Sequence, residues 1–212
     1  EEFISGIEFT VESVCIAGVN HIVMITEKGK VENGSGTVAN VLYTYAPSNV
    51  ELEQLKELIN KAHSFLGYND GVCHTEVIRD KNGKFWLIET AGRGAGFGVS
   101  EFFVNTAVGF DFFQAALDFD LGRKVLPPKH FKPPPPFFAM RFIESQKGIF
   151  VGINSNSGVD IHTIIKTGQI IDDPKTDADR VGYFIIKDNN RETLDSEINR
   201  ILQSTSVLVK PV

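Results

Sequence analysis

Between Cys73 and Gly98 the chain reads CHTEVIRDKNGKFWLIETAGRGAGFG, and the Asn82-Gly83 pair near its middle constrains the fold more than any other dipeptide. Asn-Gly between runs of alternating apolar residues predicts a hairpin with a two-residue type I′ loop. That loop dictates register: Lys81 faces Lys84, Ile78 faces Leu87 and Glu76 faces Glu89. Side chains alternate along a strand, so Glu76, Ile78, Leu87 and Glu89 share one face. Two carboxylates then oppose each other with Cβ atoms about 5 Å apart, which is destabilising unless a proton or a cation lies between them. A hard divalent cation with oxygen ligands suits such a pair. Singly, each acid would read as an ordinary solvated residue. The shared face with apolar Ile78 and Leu87 is what favours a site.

Arg93 follows Glu89 within GRGAGFG. Its planar guanidinium suits a salt bridge to either acid, or a phosphoryl group or developing negative charge. Gly92, Gly94, Gly96 and Gly98 let backbone approach a ligand, and Val99 to Ala107 can open a helix whose first amides receive an anion. An ordinary flexible turn is the plainer alternative. The loop is no dinucleotide fingerprint, because Phe97 stands where a third glycine is required. His74 lies on the Glu76 face and reads as a core or substrate-contact histidine rather than a metal ligand. His21, His63, His130 and His162 are scattered. Neither Cys15 nor Cys73 has a base nearby in sequence, and no serine sits in a nucleophile elbow.

The 212 residues are enough for one large domain or two small ones. A net charge of −6 gives no basic footprint for nucleic acid. No apolar run approaches a membrane span, no basic leader opens the chain, and two cysteines make no disulfide framework, so a reduced cytoplasmic setting is expected. The chain starts without methionine at a strand entry and reads as a fragment.

In order, strands are expected over Glu1 to Cys15, Ile16 to Glu27 (with a turn at Ala17-Gly18) and Val38 to Thr44, with a polar loop from Lys28 to Thr37. Pro47 to Leu66 predicts a helix. Ser48 and Glu51 form its capping box, Gly67 stops it, and Leu55, Leu58, Ile59, Ala62, Phe65 and Leu66 form its inner stripe. Asp111 and Gln114 cap a second helix, Phe112 to Leu121. Six of the nine prolines fall between Leu126 and Pro136, marking a boundary. Beyond it, short strands at Phe137 to Glu144, Gly148 to Ile153, Asp160 to Lys166, Gly182 to Lys187 and Ser206 to Lys210, with a helix over Glu192 to Gln203, predict a small α+β unit.

Gly71-Val-Cys-His74-Thr-Glu76, then Phe-Trp-Leu-Ile-Glu89-Thr-Ala-Gly-Arg93-Gly94 and Gly109-Phe110-Asp111, resembles the C-terminal half of an ATP-grasp domain. The likeness is to carboxylate–amine ligases such as L-amino-acid ligases, and to the synthetase domains of carbamoyl phosphate synthetase. The resemblance implies an α+β fold: residues 1–126 form the C-terminal ATP-grasp subdomain (an antiparallel sheet with flanking helices), 127–136 a linker, and 137–212 a small α+β C-terminal subdomain. It implies ATP and Mg²⁺ (or Mn²⁺), with Glu76 and Glu89 on the metal and Arg93 as the catalytic residue supporting an acyl phosphate. Glu1-Glu2-Phe3-Ile4-Ser5-Gly6-Ile7-Glu8 resembles the family's hinge, which implies adenine contacts through backbone near Glu1, Glu2 and Phe3, and ribose binding by Glu8. The Gly94–Gly96 loop would receive the substrate carboxylate. One departure stands out: many of these enzymes carry Glu-x-Asn at the second metal motif, and here the third position is Ala91. The small ATP subdomain, with its phosphate-binding lysines and flap, has no counterpart in the sequence.

The expected function is thus an ATP-dependent carboxylate–amine ligase acting through an acyl phosphate on small carboxylate and amine substrates. It would need a missing N-terminal ATP-grasp portion, and a homodimer is compatible with it. A carbamoyl-phosphate-synthetase-like subunit and a non-catalytic nucleotide-binding or interaction module are the alternatives. A metal-dependent hydrolase fits less well, because the sequence is expected to lack any histidine-plus-acid ligand cluster.

Overall fold

The computed structural model describes residues 2–33, 36–128, 131–171 and 180–212. The chain divides into two compact units, Glu1–Glu27 with Thr44–Pro134, and Lys28–Tyr43 with Pro135–Val212. Both are mixed α+β.

In the first unit, β1 (Gly6–Ile16) pairs antiparallel with β2 (Val19–Asn33) and with β4 (Gly71–Asp80), and β4 pairs antiparallel with β5 (Phe85–Ala91), giving the order β5-β4-β1-β2. Helix α1 (Asn49–Leu66) begins at the Ser48/Glu51 capping box and ends at Gly67, whose φ of 65° is the left-handed conformation that glycine adopts without strain. Phe9, Val11, Ile25, Val77 and Phe85 form the apolar face of the sheet and bury Leu55 and Ile59 of α1. The helix's inner stripe is shorter than its apolar pattern suggests. Phe65 and Leu66 are exposed, and the buried residue of the last turn is His63. Beyond β5, a π-helical turn (Val99–Phe103) leads into α2 (Val104–Val108), and Asp111 caps α3 (Phe112–Asp120) by accepting from the Gln114 amide.

The hairpins differ from expectation. Ala17-Gly18 is a tight two-residue turn with φ of 49° and 78°, both positive as a type I′ turn requires. The Asn82-Gly83 loop is not of that type. Asp80 and Lys84 close it, with the Asp80 amide donating to the Lys84 carbonyl at 3.0 Å, so three residues form the loop and Gly83 supplies the positive φ of 81°. The register near the turn is therefore one residue off the two-residue prediction: Ile78 pairs with Trp86, and Leu87 pairs with Val77. Leu87 consequently leaves the acid face. A β-bulge between Glu76 and Val77 then absorbs the extra residue, and Glu76 does face Glu89.

In the second unit, β3 (Gly36–Thr44) pairs with β6 (Phe137–Ile143), which pairs with β10 (Gly182–Asp188), and β10 pairs with the two-residue β8 (His162–Thr163). A separate sheet runs β11-β7-β9, from β7 (Gly148–Ser155), β9 (Ile170–Ile171) and β11 (Thr205–Lys210). Helix α4 (Arg191–Gln203) buries Leu194, Ile198 and Ile201 against Val41, Ala139, Phe150 and Phe184. Two sequence readings are corrected here. Residues 28–33 and 36–37 are strand, not loop, and the Asp160 to Lys166 strand shrinks to β8. Strand β9 has no strong pattern of its own.

Candidate functional site

The face of the first unit's sheet opposite α1 is built from two cross-strand rows. One row runs Thr26, Thr10, Glu76, Glu89 from β2 to β5, and the next runs Met24, Glu12, His74, Ala91. Facing residues of antiparallel strands project to the same side, so the acids and the imidazole are gathered by register alone. Thr10 and Thr26 hydrogen-bond through their hydroxyls at 2.6 Å. Glu8 lies on the same face of β1, opposite Ile78.

The donor set is compact, and it corrects the expectation that no histidine-plus-acid cluster would form, because strand register brings His74 beside the two acids. One ligand atom from each of His74, Glu76 and Glu89 lies within 4.8 Å of the others. Two carboxylates and an imidazole fit a divalent cation of the first transition row as well as Mg²⁺. Behind them, Glu12 is fully buried. It meets His74 Nδ1 at 2.6 Å, and its other oxygen accepts from the Ser100 hydroxyl at 3.4 Å. His74 Nε2 lies 3.4 Å from Glu76 Oε1. Burial alone would push the imidazole pKa down, but its bonds to Glu12 and Glu76 raise it to about 9. Without a metal, the imidazolium therefore offsets part of the carboxylate charge.

The α1 side carries a second polar set. His63 Nδ1 lies 2.8 Å from Asn20 Oδ1, and Nε2 lies 2.8 Å from Thr90 Oγ1. The Thr90 hydroxyl also meets Thr75 at 2.8 Å. Burial lowers the His63 pKa, so the ring is neutral: Nδ1–H donates to Asn20 and Nε2 accepts from Thr90. This set holds β5 at the residue next to Glu89.

The other expected positions are dispersed. Arg93 is exposed and donates to the Gly94 carbonyl at 2.8 Å. Gly94 has a packing cause: a Cβ there would stand 2.7 Å from Ser100 Oγ. Gly96 meets open space. Phe97 takes a φ of 55°, unusual for a bulky residue, just before the π-helical turn. Glu2 and Phe3 are exposed at the entry to β1, and Glu1 lies outside the described residues. Both thiols are buried. Burial pushes Cys73 up to about 12 and raises Cys15, so neither is poised as a nucleophile. Sequence reasoning passed over Glu12, whose signal was its place in step with Glu8 and Thr10 on a strand whose alternate residues are apolar.

A family model described as the ATP-grasp domain matches residues 1–101. The backbone decides the rest: the L-amino acid ligase from Bacillus licheniformis superposes with a TM-score of 0.80 at 24% identity, over 98% of this chain and 53% of the ligase. The chain has the ATP-grasp fold. Phosphoribosylglycinamide synthetase from Anaerococcus prevotii matches with a TM-score of 0.78 at 19% identity, over 99% of this chain and 55% of the synthetase. The biotin carboxylase domain of Hydrogenobacter thermophilus 2-oxoglutarate carboxylase, solved with MgADP, ADP and bicarbonate, matches at 0.72 and 15% identity, over 99% of this chain and 48% of that one. The chain spans about half the length of each of these. Comparison with curated protein sequences gives no match. Among the described residues, no helix is long and apolar enough to cross a membrane.

Proposed function

We propose that this chain forms the metal-holding wall of an ATP-dependent carboxylate–amine ligase. The observation that carries the reading is the direct opposition of Glu76 and Glu89 on neighbouring strands of an ATP-grasp fold, reached across a register shift between Glu76 and Val77. In the reaction, a substrate carboxylate oxygen attacks the γ-phosphorus of ATP and ADP leaves. An amine then attacks the acyl carbon, inorganic phosphate departs, and the amine loses its proton.

Glu76 and Glu89 would hold Mg²⁺ (or Mn²⁺) with the nucleotide phosphates. When bound, the cation offsets phosphate charge and orients in-line transfer. Arg93 leaves the Gly94 carbonyl for the transferred phosphoryl oxygens or the tetrahedral oxyanion, where its fixed fork of donors is strongest. Glu8 accepts from the ribose hydroxyls, backbone at Glu2 and Phe3 reads adenine, and the loop containing Gly94 and Gly96 receives the substrate carboxylate. The 212-residue chain alone is expected to turn over little ATP.

The test is Mg²⁺-dependent protection of the protein by ADP against thermal unfolding. Wild type is expected to gain stability with MgADP, whereas Glu76→Gln and Glu89→Gln gain none. Equal protection in all three would sink the assignment.

A further inference from the structure

Ala91, two residues beyond Glu89 on β5, carries only a methyl group, which cannot ligate a metal. Directly across the β4–β5 ladder from Ala91 is His74. We propose that His74 Nε2 is the third protein ligand of the metal held by Glu76 and Glu89, supplied from β4 beside them. The proposal rests on the reading of those two acids as metal carboxylates.

Three features of the geometry carry it. First, the ligand atoms of His74, Glu76 and Glu89 lie within 4.8 Å of one another, and Nε2 is 3.4 Å from Glu76 Oε1. Two ligand atoms each about 2.1 Å from an octahedral ion lie about 3 Å apart, so small side-chain movements close the set. Second, the imidazole is held from behind. Glu12 Oε1 meets Nδ1 at 2.6 Å, and that carboxylate is fully buried and accepts from Ser100 at 3.4 Å. A carboxylate that fixes Nδ1–H and points Nε2 outward is the arrangement that orients metal-bound histidines and raises their basicity. Third, the ring is almost wholly buried, at 7% exposure, yet Nε2 opens onto the carboxylates rather than onto apolar packing.

A nitrogen donor beside two carboxylates shifts preference away from Mg²⁺, which favours oxygen, toward Mn²⁺ and Co²⁺. With His74 as a ligand the site favours Mn²⁺ over Mg²⁺ more strongly than the two carboxylates alone would, and Glu12 is the positioning residue behind that ligand.

Mn²⁺ and MnADP added to the 212-residue protein provide the probe, read by pulsed electron paramagnetic resonance. Wild type is expected to bind Mn²⁺ with nitrogen modulation from a directly bound imidazole. His74→Gln loses the modulation and binds Mn²⁺ about tenfold more weakly, with a smaller change for Mg²⁺. Glu12→Gln keeps the modulation with weakened binding. Adding Ala91→Asn to His74→Gln recovers affinity without nitrogen modulation. Bound Mn²⁺ without modulation in wild type, or modulation that persists in His74→Gln, overturns the role of His74 and leaves the carboxylate reading intact. Failure of wild type to bind Mn²⁺, or equal binding by Glu89→Gln, overturns the carboxylate reading itself.

Discussion

The β1–β2 hairpin turns through Ala17-Gly18 with both residues in the left-handed region, whereas the β4–β5 hairpin turns through Lys81-Asn82-Gly83 with only the glycine there. The residues best suited to the tight turn, Asn-Gly, occupy the looser one, and a poorly suited alanine occupies the tight one. Each has a local cause. The Ala17 amide donates to Asp70 Oδ1 at 2.9 Å and the Gly18 amide to the Asn69 carbonyl at 2.8 Å, so the tight turn is held from outside. In the other, Asp80 Oδ1 accepts from the amides of Asn82 and Lys84 at 2.8 and 3.0 Å, which draws the loop into its three-residue form.

Both hairpins also carry a bulge beside the carboxylate face, between Glu12 and Ser13 in one and between Glu76 and Val77 in the other. Carried unbroken from its turn, the β4–β5 register would set Glu76 opposite Ile88 and turn Glu89 toward Thr75 on the α1 side. There a carboxylate would be buried beside Val11 and His63. Burying that charge costs far more than a bulge, so the interior sets the register that matters for the site. Turn chemistry sets only the tip.

The sharpest way to break this arrangement is at His63. His63→Leu removes one partner each of the Thr90 hydroxyl and of Asn20 Oδ1 on the α1 side and is expected to cost about 2 kcal/mol in urea unfolding. Cross-strand Hα contacts between Thr75 and Thr90, seen by nuclear magnetic resonance, should weaken with it. Intact contacts with an unchanged midpoint would show that the bulge needs no such lock.

Next in size is the anchor at the hairpin base. Arg79 pairs with Glu51 of α1, and Tyr45 donates to the same carboxylate at 2.9 Å. Burial alone would raise the Glu51 pKa, but the Ser48 amide and hydroxyl, Tyr45 and Arg79 hold it at about 2, below its ordinary 4.5. A depressed carboxyl stabilises the fold above its unfolded pKa, and the contribution is lost as pH falls through the folded value. Stability should therefore drop by about 2 kcal/mol between pH 4.5 and 2, with allowance for partial exposure, and Glu51→Gln should flatten that limb of the profile.

At the tight turn, Ala17→Asn replaces a strained alanine with a residue that tolerates positive φ, and is expected to stabilise by about 0.5–1 kcal/mol in thermal melts. A loss would mean that the Asp70 contact depends on the alanine.

How far the sequence carried is visible at the same places. Helices α1, α3 and α4 were legible because caps and apolar periodicity are local. The facing of Glu76 and Glu89 was legible too, though by a route with two compensating departures: a three-residue loop and a bulge, each shifting register by one. What no local pattern encodes is partnership across the sheet. Glu12 meets His74 only because β1 pairs with β4, and His63 meets Thr90 only because α1 packs beneath β5. Phe65 and Leu66 fit the helical stripe but extend past the sheet that α1 covers, so they face solvent. Residues 28–33 are mostly polar and glycine-bearing, a composition that hides the strand they form.

The smallest expected effect separates propensity from context most cleanly. If Asn82-Gly83 directed the hairpin, Asn82→Ala would be costly. Asn82 does not take a positive φ, and its amide bond to Asp80 survives the change, so the loss should stay within about 0.5 kcal/mol. Asp80→Ala removes acceptors for two loop amides and for the Trp86 indole, bound at 2.9 Å, and should lower the melting temperature clearly more. The reverse order would return control of the hairpin to the Asn-Gly pair. The bulge would then be a consequence of the turn, not of the buried face behind it.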